Sequence, residues 1–219
     1  MSSSRTITRI STRDAAEEEP SVTRERLKDR FPRGSTRRMT QLGLLVGDVL
    51  MDMDPGPDDA IIYISRYAET RALEQYLESF PTASPTLFQT SIHPSAVQQV
   101  MIGRQLPVRE FLPITGNEQL VAQGLTAALV SPASRVLLCG GEERGTWLLE
   151  QGVASDRNFA FACALSRDPD GALGRVTMGN EVCPPEVPLG LEEFFRRLTD
   201  REPFTLVAPS AQRISWTWE

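Results

Sequence analysis

Residues 106–142 constrain the chain most, because they spell strand, tight turn, buried helix and strand in one run. Leu106-Pro107 interrupts what precedes, and the mostly apolar residues 108–114 predict a strand. Thr115-Gly116-Asn117-Glu118 then has the form of a capping box, with a hydroxyl at the N-cap and a Glu three positions on. Leu120, Val121, Gly124, Leu125, Ala127, Ala128 and Leu129 cover most of the following helix's circumference, so that helix is expected to be buried on most sides. Ser131-Pro132 ends it, residues 135–139 predict a short apolar strand, and Gly140-Gly141-Glu142 closes the unit.

Residues 1–34 are polar and partly flexible in expectation, with a possible first strand at 6–10 from its β-branched alternation. Residues 14–24 read as a flexible loop, and a helix is expected over 22–31, stopped by Pro32 and Gly34. Arg37-Arg38-Met39 opens an expected helix through Leu42, Leu44, Leu45, Val46, Val49 and Leu50. After the turn Asp54-Pro55-Gly56-Pro57, residues 60–65 have the unbroken apolar run of a strand buried on both faces. Helices are expected over 70–80, 95–103 and 147–150, and a strand over 158–166. Asp168-Pro169-Asp170-Gly171 predicts a turn, with residues 172–178 returning as the hairpin partner. A Pro-rich connection at 182–188 precedes a helix over 189–198, whose Leu191, Phe194, Phe195 and Leu198 share a face. Residues 204–208 and 214–218 predict a final strand pair, with Trp216 and Trp218 on one face as core cover or interface.

No apolar run reaches the ~18 residues of a membrane span, and the Ser/Thr/Arg-rich N-terminus lacks a secretory apolar segment. The net charge of −6 disfavours nucleic acid as a partner. Charge is uneven: residues 1–40 hold ten Arg/Lys against six Asp/Glu, a net of +4, leaving −10 for the rest. Cys139, Cys163 and Cys183 lack metal-ligand spacing, and a cytoplasmic chain with reduced thiols is expected. No phosphate-loop or Gly-x-Ser-x-Gly pattern is present, so no cofactor and no metal is expected. Gly140-Gly141 reads as a strand exit where Cβ atoms do not fit.

The 106–142 unit resembles the nucleophile region of the β-ketoacyl synthases, condensing enzymes of the thiolase fold. In that family a Gly-Pro precedes a strand, the nucleophilic Cys follows at a helix N-terminus, and a later strand ends in Gly-Gly-x-Glu. Here Leu106-Pro107 stands for the Gly-Pro and Gly140-Gly141-Glu142-Glu143 for the Gly-Gly-x-Glu. The ungapped pattern puts Thr115 at the Cys position, and a small shift would put Gly116 or Asn117 there. Arg37-Arg38-Met39, Ser84-Pro85-Thr86-Leu87-Phe88 and the Ser91-Ile92-His93 that follows add to the likeness, the last two resembling non-catalytic members.

The resemblance implies an α/β fold: a single domain like the N-terminal half of the thiolase fold, with a mixed sheet of about five strands flanked by helices. Residues 35–180 form the ketosynthase-like part, and 181–219 pack on it as a helix plus strand pair. Capping accounts for Thr115; the alternative is a catalytic or acyl-contacting role. His93, the one histidine, is expected to be satisfied by its loop or to touch a partner. Condensation needs a thioester nucleophile and groups that polarise a carbonyl, and no catalytic residue can be named. The implied function is a non-catalytic, chain-length-factor-type subunit that pairs with an active ketosynthase, or with itself, in polyketide, aryl-polyene or fatty-acid-like biosynthesis. Phe88, His93, Phe111 and Leu112 are its candidate interface. The alternatives are an acyltransferase or thioesterase with a non-standard nucleophile, and a module binding acyl carrier protein through Arg-rich residues 24–38.

Overall fold

The computed structural model describes residues 3–32, 34–91, 95–116 and 118–219. The first half holds β1 (Ser3–Ala16), α1 (Pro20–Leu27), α2 (Gln41–Asp52), β2 (Ala60–Ser65), α3 (Thr70–Glu78), α4 (Pro85–Ser91), α5 (Ser95–Arg104) and β3 (Glu110–Thr115). The second holds α6 (Leu120–Val130), β4 (Arg135–Glu142), α7 (Trp147–Glu150), β5 (Asn158–Ser166), β6 (Gly174–Val182), α8 (Leu191–Asp200), β7 (Phe204–Val207) and β8 (Gln212–Trp218).

All eight strands form one mixed sheet in the order β3-β2-β4-β5-β1-β6-β8-β7. β2 pairs in parallel with β3 and β4, and the remaining pairs are antiparallel. β2, β4 and β5 are buried along nearly their whole length, which explains their uninterrupted apolar runs. On one face, α6 and α8 bury Leu125, Leu129, Phe194 and Leu198 with Ile64, Leu138, Phe161 and Trp216. On the other, α2 and α5 bury Leu45, Val49, Val97 and Val100 with Ile61, Leu137 and Ala162.

The sheet has eight strands rather than about five, because β1 and the C-terminal β6, β7 and β8 join it. β1 is also longer than the strand expected at 6–10, and the segment expected as a loop at 14–24 is the end of β1 followed by α1. Paired charges hold this polar segment down. Asp48 of α2, buried, takes Arg13 Nε of β1 and Arg30 Nε, both at 2.6 Å. The expected helix opening at Arg37 is instead a 3₁₀ turn over Ser35–Arg38; Thr40 then caps α2 by accepting from Gly43 N at 2.9 Å.

The expected hairpin between β5 and β6 does not form. β1 lies between them, with Thr6 opposite both Ser166 and Arg175. The Asp168–Gly171 turn therefore bridges two strand spacings, about 10 Å, rather than one. What draws β1 into this slot includes fully buried Ile7 and Arg5. Arg5 Nη2 donates to the carbonyls of Ser131 and Ala133 at 2.8 Å, and Nη1 to Ser134 O at 3.2 Å. These acceptors follow the C-terminus of α6, where backbone carbonyls lack intrahelical donors. Burial, with Arg167 alongside, lowers the Arg5 pKa to about 10, and the ion stays charged at neutral pH.

Removing this donor strips the Ala133 carbonyl of its partner, leaves Ser131 O and Ser134 O to Arg167 alone, and empties the buried site of the Arg5 side chain. Arg5→Met is therefore expected to lower unfolding free energy by about 3 kcal/mol, read from urea unfolding midpoints at unchanged m-value. A midpoint equal to wild type would show that β1 is not held by Arg5.

Candidate functional site

The carboxyl ends of the parallel strands β2, β3 and β4 lie side by side, with Ser65 opposite Thr115 and Ile64 opposite Gly140. A Cβ on Gly140 would overlap the Ile64 carbonyl oxygen, and one on Gly141 the Phe159 carbonyl oxygen, so both positions need glycine for close approach.

Beyond the two glycines, the chain turns two carboxylates inward. Glu142 accepts from Tyr67 N at 3.1 Å, from Arg66 N, and from Ser65 Oγ at 3.3 Å. Glu143 Oε1 accepts from Gln41 N at 3.1 Å and Leu42 N at 3.3 Å, and Oε2 from Arg71 N at 2.9 Å. One carboxylate thus serves the first amides of α2 and of α3, where helices have unpaired donors and favour negative charge. Glu74 of α3 plays the same part for α7, accepting from Thr146 N at 2.7 Å and Leu148 N at 3.0 Å. Thr40 Oγ1 donates to Glu69, itself buried beside Glu143. Sequence reasoning saw Gly140 to Glu143 only as a strand exit and a motif. The available signal was two consecutive acids ending an apolar run, with further acids at helix starts.

Thr115 does not cap a helix. β3 runs one residue beyond the predicted strand and takes in Thr115, exposed, as its last residue. α6 starts only at Leu120, its N-cap is Gln119, and no side chain caps it. The capping box is therefore overturned, and Glu118 is exposed rather than folded back. Gly116 follows in open surroundings. Asn117 and His93 lie outside the described residues.

Among the described residues the Thr115 hydroxyl has no hydrogen-bond partner to serve as a base. Cys139 and Cys163 are fully buried among apolar side chains. Burial pushes the Cys139 thiol up to about 12 and raises that of Cys163, so neither is a ready thiolate. No group of three His, Cys, Asp or Glu among the described residues could hold a metal.

Phe111, Leu112 and Thr115 come together on β3, an edge of the sheet. Phe111 packs partly under the α2–α5 core, whereas Leu112 is 42% exposed. Phe88 sits apart on α4, 49% exposed, with its ring 5.5 Å from that of Tyr76.

No family model matches the chain, and no curated protein matches its sequence. Solved structures do match. A chain of the ketosynthase (ApeO) in complex with its chain length factor (ApeC) from Xenorhabdus doucetiae aligns over 98% of this chain and 99% of its own length, with a TM-score of 0.70 at 18% identity. The fold is ketosynthase-like, of the thiolase type. The ishigamide ketosynthase/chain length factor aligns over 79% of this chain and 65% of its own, with a TM-score of 0.60 at 13% identity. Within this ketosynthase-like fold, among the described residues, no helix is long and apolar enough to cross a membrane.

The buried acids give the fold a pH dependence of definite sign. Desolvation raises Glu142 from 4.5 to about 7, and burial beside Glu69 raises Glu143, in both cases outweighing the amide donors. The folded state then binds protons more tightly than the unfolded one, so this contribution is whole below pH 4.5 and is lost as pH rises through about 7. Denaturant midpoints should fall over that window, and Glu142→Gln should flatten the fall. A midpoint that rises from pH 5 to 8 in wild type would contradict this assignment.

Proposed function

We propose that the chain is a non-catalytic ketosynthase-like subunit of the chain-length-factor type, which pairs with an active ketosynthase in polyketide, aryl-polyene or fatty-acid-like biosynthesis. The observation that carries this reading is the near end-to-end match to a chain from a ketosynthase–chain length factor complex. That likeness covers 98% of this chain and 99% of the other.

The local chemistry supports the same reading. On it, Thr115 occupies the degenerate nucleophile position, with Gly116 and Asn117 beside it. A Thr hydroxyl needs a partner base to become a nucleophile, and no described residue hydrogen-bonds the Thr115 hydroxyl. We place the chain in the cytoplasm beside its partner; three cysteines, all unpaired, agree with a reducing compartment.

β3 is the surface we assign to the partner. It is a sheet edge, and its Leu112 and Pro113 are exposed apolar groups. Pro113 has no N–H, so it is tolerated only with that position turned away from β2. The outward edge therefore lacks one donor, and side chains carry more of the contact than a backbone ladder does. Phe88 on α4 extends this surface in the proposal.

Leu112, rather than half-buried Phe111, is the residue to change. Co-expression with a ketosynthase encoded nearby should give a stable complex, or the chain alone a dimer, by sedimentation velocity at tens of micromolar. Leu112→Arg should raise the dissociation constant by about tenfold or more. A chain that sediments as a monomer alone and with every such ketosynthase would sink the reading.

A further inference from the structure

A cleft of about 200 Å³ opens where α1, the start of α2, α3 and α4 meet, and three arginines line it: Arg24, Arg37 and Arg71. Their charge is little compensated. Among the described residues neither the Arg37 nor the Arg71 side chain forms a hydrogen bond or a close ion pair; Arg71 has only a through-space attraction to buried Glu143. Arg24 reaches only the Met39 carbonyl, at 3.4 Å. The one acid in the lining is Glu143, which is buried and has both oxygens on backbone amides of α2 and α3. These positive charges thus stand together on a chain whose net charge is −6. The rest of the wall adds Gln75 and Thr86, with Met39, Ala72 and Leu87 as apolar surface.

We propose that this cleft binds a small phosphate monoester, with the arginines on the phosphate and the apolar wall against the organic group. Guanidinium groups offer forked donors that match oxyanions. A phosphate monoester brings about −1.5 to −2 charges at pH 7 and three acceptor oxygens, against one charge and two oxygens for a carboxylate. Three arginines lining one concave site suit the former better. The reading does not depend on subunit pairing, since every residue that it uses belongs to this chain.

Isothermal titration of the full chain with inorganic phosphate and with phenyl phosphate, at constant ionic strength, tests it. Both are expected to bind saturably, phenyl phosphate the more tightly. Arg37→Gln and Arg71→Gln should each weaken binding by about tenfold, and Arg175→Gln on exposed β6 should leave it unchanged. Arg37 is exposed, so its variant keeps the fold even if that of Arg71 does not. No saturable heat with either compound would overturn the proposal. So would equal affinity in wild type and Arg37→Gln, and phenyl phosphate binding no tighter than phosphate would overturn the part given to the apolar wall.

Discussion

The architecture depends on two adjacent carboxylates at the end of β4. Glu142 holds the turn after β2, and Glu143 joins the first amides of α2 and α3. Three segments that are distant in sequence, residues 41–42, 65–71 and 142–143, meet on these two side chains. Gly140 and Gly141 make this possible, since a side chain at either position would keep the neighbouring strands apart. Buried charge is costly unless hydrogen bonds satisfy it; the turn amides on Glu142 and the helix-start amides on Glu143 offset part of that cost, and desolvation still raises both pKa values. Glu143 also forms part of the arginine cleft's wall, where its oxygens are held by backbone amides and it attracts only Arg71.

The open side of the molecule follows from strand order. β2, β4 and β5 are enclosed by helices, whereas β3 has one neighbour and a half-covered surface. The opposite edge, β7, alternates buried Phe204 and Leu206 with outward positions. The two edges differ in kind: β3 presents Leu112 and Pro113 outward, and β7 keeps its large apolar groups in the core. An exposed apolar edge is a liability that proteins blunt or cover; Pro113 blunts this one, and a partner would cover it.

Much of this was legible from residue pattern. Residues 60–65 and 158–166 form strands with the expected bounds, because uninterrupted β-rich apolar runs between turn signals admit few other structures. The ketosynthase-like fold could be anticipated from the 106–142 unit. Other features depend on tertiary context. No local pattern shows that Arg5 will be buried against the end of α6, so β1 looked like the fringe of a polar segment. The Asp168–Gly171 turn signals a reversal but not the strand that slots between its arms. Thr115 had the spacing of a cap, yet pairing of β3 with β2 kept it extended and delayed the helix to Leu120. The inward acids were hidden because their partners are backbone amides, which leave no trace in side-chain identity.

We propose that this chain, ketosynthase-like in fold, meets a partner through the β3 edge. Hydrogen–deuterium exchange, compared between the free and the associated chain, tests it most directly. The account predicts that peptides covering Glu110–Thr115 gain protection on association, while those covering Phe204–Val207 do not. Protection confined to Phe204–Val207, with unchanged exchange in β3, would contradict it.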